Sequence, residues 1–228
     1  GKGAKEMKRK ESFVSDKRRI SYLSATYNRI YRGKSVLVEG HYGVGKSRFL
    51  GLIAPKKLRV VRVESLFGVH ETMASILREL DYETTAHYMR TPEYLKTICG
   101  LRDCFLVVDE VNDLDRRVWP YFKRIMDAGV PVVMAGLPKV RTFLKSEHPD
   151  ILSRLKTLVL YPITVEDFIE ECKDIEAEAV EQIYMAARGD MRKFEEICTD
   201  CRDRAAELDY GFVDVNLALE FISDLPPA

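Results

Sequence analysis

The sequence predicts an α/β fold in which a five-stranded parallel sheet lies between helices and a small all-helical subdomain follows. Three observations predict it. Through residue 160, five short apolar runs alternate with segments of helical period. A glycine-rich turn separates the first of those runs from the helix after it. Beyond Pro162 the pattern is helical only.

Taken in order, Ile20, Leu23, Tyr27 and Ile30 give residues 16–32 a helical stripe that Gly33 stops. Ser35-Val-Leu-Val-Glu39 is a buried parallel strand, bounded by Gly33 and Gly40. Residues 46–54 carry Phe49, Leu50 and Ile53 on one face and end at Pro55. Strands are then expected at 58–63, 104–109, 130–135 and 157–160, with helices at 71–80, 92–99, 116–128 and 139–144. The last third reads as helices over 165–172, 178–188, 191–207 and 213–222. This divides the chain into a basic N-terminal arm and helix (1–34), an α/β core (35–160) and a helical lid (161–228).

Composition narrows the class. At 228 residues and 46% hydrophobic, the chain can bury a full core. No apolar run approaches the ~18 residues that span a bilayer, and the basic start, Lys2 to Lys10, leads into no apolar signal segment. A soluble, cytoplasmic protein is therefore expected. The formal charge of zero is a cancellation, since residues 1–34 hold 11 Lys/Arg against 3 Asp/Glu, and residues 161–228 hold 6 against 18. A basic arm suits nucleic acid or an acidic protein surface, and equally a solvated helix face.

Five scattered cysteines form no secreted-type disulfide framework. Cys198 and Cys201 make a CxxC that lacks the second pair a zinc site needs, so two buried thiols on one helical turn are expected. One Gln and three Asn beside 32% charged residues form a thermophile-like composition, in which an intracellular disulfide stays open.

The chemistry is concentrated in two segments. Gly40-His41-Tyr42-Gly43-Val44-Gly45-Lys46-Ser47 has the form GxxxxGKS between a strand and a helix, continuing into Arg48. Glycines permit the turns that aim successive N–H groups at phosphate oxygens, Lys46 reaches the β- and γ-phosphates, and the Ser47 hydroxyl completes a Mg²⁺ shell. Phe105-Leu-Val-Val-Asp109-Glu110 is an apolar strand ending in adjacent acids. Asp109 is placed to hold the Mg²⁺ shell, and Glu110 to polarise the attacking water. ATP or ADP with Mg²⁺ is the expected cofactor.

With these segments in place, the chain resembles the AAA+ ATPases, in the branch shared by origin-initiator proteins and transposon target-DNA ATPases. Phe13-Val14-Ser-Asp-Lys-Arg18 is similar to the box that precedes the first helix in this branch and lies near the adenine, with Ser15-Asp16-Lys17 in place of Gly-Arg-Glu. Val132-Val-Met-Ala-Gly-Leu-Pro138 looks like the strand that ends in sensor 1, where the family places Asn, Thr or Ser. Here stand Gly136 and Leu137. Asp150-Ile-Leu-Ser-Arg154-Leu resembles the arginine-finger segment, which implies that Arg154 acts in trans on a neighbour's ATP. Gly189-Asp-Met-Arg192-Lys resembles the sensor-2 box, which implies that Arg192 meets the γ-phosphate of its own subunit.

Other constellations carry less. His41 lies in the loop at a position whose side chain points outward, and His70, His87 and His148 show no metal-ligand spacing. Trp119, Tyr121 and Phe122 suit core packing. The resemblance implies a homo-oligomeric ATPase acting on DNA, as replication initiator, loader or transposition adaptor, with a replication or transposition protein as a further partner. The missing sensor-1 side chain and the acidic lid suit a different class, a nucleotide-dependent signalling switch or partner-binding module with little hydrolysis. A small P-loop kinase ranks last, because no arginine-rich lid segment is found.

Overall fold

The computed structural model describes residues 17–54, 57–63, 68–82 and 90–223. These form two compact units. Among the described residues, one is Ser21–Tyr161 and the other comprises 162–223 together with 17–20.

Five strands, β1 (Ser35–Glu39), β2 (Arg59–Val63), β3 (Cys104–Val108), β4 (Val132–Gly136) and β5 (Leu155–Val159), make one parallel sheet in the order β2-β3-β4-β1-β5. The central strands β1, β3 and β4 are buried at every residue, whereas the edge strands β2 and β5 expose Arg59, Arg62 and Lys156. That is the pattern of a sheet covered on both faces.

The pleat sends alternate residues to opposite cores. Val36, Val38, Phe105, Val107, Val133 and Ala135 pack on one face with Phe49 and Leu50 of α2 (Lys46–Gly51) and with Ile30 of α1 (Lys17–Ile30). Leu37, Leu106, Val108 and Met134 face the other core, built from α3 (Val69–Arg78), α4 (Thr91–Cys99), α5 (Trp119–Asp127) and α6 (Pro138–Glu147). Trp119 and Phe122 are buried there, as core packing requires. The helix after β1 thus covers one face, and the helices after β3 and β4 cover the other. In parallel α/β sheets such a reversal opens a crevice at the carboxyl ends of the strands.

Several boundaries differ from the sequence expectation for local reasons. The helix expected from residue 116 starts at Trp119, because Arg116–Val118 is a tighter 3₁₀ turn capped by Asp115, whose Oδ1 accepts the Arg117 N–H at 2.8 Å. β4 starts at Val132, two residues later than expected, since Pro131 has no N–H for a ladder. α2 stops at Gly51 rather than residue 54, and α6 runs three residues further, to Glu147. β5 begins at Leu155, just after the short α7 (Pro149–Leu152).

The second unit holds α8 (Val165–Glu171), α9 (Ala177–Ala187), α10 (Met191–Glu207) and α11 (Val215–Ser223) around its own core. Thr164 opens α8 in a capping box with Asp167, and Phe168 stacks on Phe194 with ring centroids 4.0 Å apart. α9 ends on two left-handed residues, Arg188 (φ 53°) and Gly189 (φ 79°). Asp190 then caps α10 by accepting the Arg192 N–H at 2.9 Å. Cys198 and Cys201 are buried on α10, and none of the five cysteines is bridged to another. Burial pushes Cys201 up to about 11, and a hydrogen bond with Cys172 pushes Cys198 up as well. Among the described residues no helix is long and apolar enough to cross a membrane.

Candidate nucleotide site

Because the sheet is parallel, the segments after β1, β3 and β4 emerge at one edge. Val38 pairs with Ala135, Glu39 with Gly136 and Val108 with Met134, so Asp109 continues one step beyond Met134, at the level of Ala135. Two strand spacings, about 10 Å, separate it from the start of the glycine loop. That gap is on the scale of a phosphate chain with its metal.

Two left-handed glycines shape the loop, Gly43 (φ 73°) and Gly45 (φ 87°). At Gly40 the constraint is space instead, since a Cβ there would come within 2.6 Å of Val44 Cγ1 and 3.2 Å of the Leu160 carbonyl. Val44 is buried and anchors the loop, while His41, Tyr42 and Ser47 are exposed and Arg48 is half-buried. Lys46 Nζ donates to the carbonyls of Gly40 (3.0 Å) and His41 (2.8 Å), with the Tyr42 ring centroid 5.8 Å away. The lysine is thereby held across the loop it is expected to serve.

Asp109 is half-buried and Glu110 exposed. The Glu110 N–H donates to Asp109 Oδ1 at 2.8 Å, and Glu110 itself is left-handed (φ 51°, ψ 41°). A non-glycine residue in that region carries roughly 1–2 kcal/mol of strain. Carboxylate and hydroxyl oxygens, from Asp109 and Ser47, are the hard donors Mg²⁺ takes, in sites that phosphates and water complete.

At the sensor-1 position Gly136 ends β4, and a Cβ there would lie 2.9 Å from both Val111 Cγ2 and Val140 Cγ2. The space a polar side chain would use is filled by two valines. Sequence reasoning missed the neighbouring charge. Glu39, paired with Gly136, is buried at the carboxyl end of β1 with Arg141 Nε of α6 2.8 Å from its Oε2. The signal was available, because an acid ending an apolar strand just before the glycine loop has the same logic as Asp109–Glu110.

Arg154 is placed apart from these groups. It precedes β5, whose Leu155 pairs with Ser35, and so stands at the amino edge of the sheet, a strand length of about 16 Å from the loop. Its guanidinium pairs with Asp127 and donates to the Asp150 carbonyl, and Lys123 holds Asp150 at 2.6 Å. Arg192 is exposed in the first turn of α10, within the helical unit. Phe13 and Val14 lie outside the described residues.

Sheet order, left-handed loop glycines and an acidic strand end at one edge make the parallel α/β arrangement that the sequence led us to expect. No family model matches the sequence, and no curated protein matches it. Solved structures do. The Aeropyrum pernix Orc1 protein in complex with DNA is 15% identical with a TM-score of 0.66, over 90% of this chain and 65% of that one. The Aeropyrum pernix Orc2 protein, in ADPNP–ADP complexes, is 12% identical with a TM-score of 0.70, over 92% and 68%. The Thermotoga maritima RuvB Holliday junction branch migration motor is 20% identical with a TM-score of 0.67, over 92% and 70%. The chain thus spans about two thirds of the length of each.

Proposed function

We propose that this protein is an ATPase that binds ATP with Mg²⁺ at Gly40–Ser47 and Asp109, and uses Glu110 to activate water. The observation that supports this best is the convergence of Lys46 and the Asp109–Glu110 pair at one sheet edge, around a loop turned by two left-handed glycines. Lys46 would exchange two carbonyl acceptors for phosphate oxygens, an exchange of neutral for charge-assisted bonds. Arg48 and Arg192 would add positive charge, and Phe13 and Val14 would contact the base.

Arg154 fits only a neighbour's nucleotide, since its own loop lies at the opposite edge. On this reading the subunits form a homo-oligomer with ATP at the interface, and Arg154 leaves Asp127 on assembly. DNA is the proposed substrate surface, as supported by the basic 1–34 segment and by a fold shared with the Orc1 protein solved with DNA. Replication initiation or loading and transposition targeting are the processes such a protein would serve.

The decisive measurement is calorimetry with ATP, ADP and a non-hydrolysable analogue on wild type and Lys46→Ala, together with turnover, with and without duplex DNA, for Glu110→Gln and Arg154→Ala. Nucleotide uptake that survives Lys46→Ala, or normal turnover in Glu110→Gln, overturns the assignment. One observation favours a switch with slow hydrolysis. Val111 and Val140 close the sensor-1 space, so no polar side chain orients the water there. Undetectable turnover with intact, nucleotide-dependent assembly would establish that alternative.

A further inference from the structure

Immediately after Glu110 a cavity of about 260 Å³ opens between the 111–118 segment and α6. Trp119, Val140 and Phe143 form its apolar floor, and Arg116 and Lys139 stand on its rim, with the Arg116 guanidinium 5.3 Å over the Phe143 ring. Neighbouring arginines are already matched, Arg117 with Asp115 and Arg141 with Glu39. Among the described residues neither Arg116 nor Lys139 has a carboxylate within ion-pair distance. The volume is below the ~300–1,000 Å³ typical of a cofactor pocket and suits one bulky side chain. The cavity therefore selects an aromatic anchor with an acid beside it.

The helical unit presents such a group. The turn between α10 and α11 reads Asp209-Tyr-Gly-Phe-Val-Asp214, and Tyr210 and Phe212 are 60% and 48% exposed. The turn is nevertheless held firmly. Tyr210 N–H donates to the Ala205 carbonyl (2.8 Å), Val213 N–H to that of Asp174 (3.0 Å), and the Val213 carbonyl accepts from Glu176 (2.8 Å). Asp214 is engaged in capping Leu217, which leaves Asp209 as the acid beside the exposed rings. Aromatic rings on a fixed turn lose little further entropy when they dock.

We propose that the Asp209–Asp214 turn of one copy docks in this cavity of a second copy, with an aromatic ring on Trp119, Val140 and Phe143 and the Asp209 carboxylate against Arg116 and Lys139. Turn and cavity are different patches, so the contact is head-to-tail and propagates into a ring or filament. It rests on the assembly part of the proposed function and is independent of nucleotide uptake.

The test uses complementary variants of the full chain. Lys139→Glu spoils the cavity and leaves the turn intact, while Tyr210→Ala/Phe212→Ala blunts the turn and leaves the cavity intact. Light scattering over about 1–100 μM with an ATP analogue should show wild type assembling, each variant assembling at least tenfold more weakly, and an equal mixture stopping at a dimer. A mixture that stays monomeric overturns the proposal, as does a variant that assembles like wild type. If Lys139→Glu weakens duplex-DNA binding with assembly unchanged, the two cations serve nucleic acid and the proposal is likewise overturned. Melting curves confirm that each variant is folded, and Lys139→Met with Phe212→Ala repeats the pair more mildly should either not fold. Calorimetry on wild type separates the two failures, because a monomer that takes up nucleotide removes this interface and keeps the phosphate site.

Discussion

Lys46 is restrained by two loop carbonyls before any phosphate arrives. Because a charge-assisted hydrogen bond contributes about 1.5–3 kcal/mol, Lys46→Ala should weaken ATP uptake by at least roughly 2 kcal/mol, about 30-fold, in calorimetry. Glu110 shows the opposite balance of fold and chemistry. Its left-handed backbone is costly, so Glu110→Gly should raise unfolding stability by about 1 kcal/mol in urea titration while turnover falls ~10²-fold or more. A loss of both stability and turnover would show that the strain has been misjudged.

Among the elements, β4 and α6 set what the site can and cannot hold. Gly136→Asn, the substitution that restores a polar group at the strand end, should destabilise by about 1–3 kcal/mol rather than speed hydrolysis, because its Cβ meets Val111 and Val140. Faster turnover without destabilisation would contradict the packing. In the helical unit, Arg202 holds the Asp174 carboxyl below its usual range, chiefly through hydrogen bonds of 2.6 and 3.0 Å. A depressed folded pKa means the contribution is complete above the unfolded value near 4 and is lost as pH falls. Both partners are more than a third exposed, so about 1 kcal/mol is expected after solvent screening. Asp174→Asn should lower the melting temperature at pH 7, and the difference from wild type should shrink as pH is taken below about 4, by circular dichroism.

For the molecule as a whole, net charge changes sign along the chain, from the basic 1–34 segment to an acidic 161–228 segment. If the basic segment meets DNA, affinity should fall steeply with salt and strengthen with ATP, and filter binding at 50 and 200 mM salt reads both. Nucleotide should also protect the native state. At a hundredfold excess over Kd the gain is about 2.7 kcal/mol, and it should vanish in Lys46→Ala.

The strand–loop–helix order and the acids after β3 could be read from the sequence, because glycine spacing and hydrophobic period are local properties of the chain. Starts such as Trp119 and Val132 were displaced by a cap and a proline acting in a particular packing environment. Other features needed the tertiary structure. The burial of Glu39 against Arg141, the valines closing over Gly136, the Arg154–Asp127 pair and the cavity beside Arg116 join residues 27 to 102 positions apart or lie between separate elements. Such neighbours are chosen by how the sheet orders its strands, and hydrophobic period carries no record of that order.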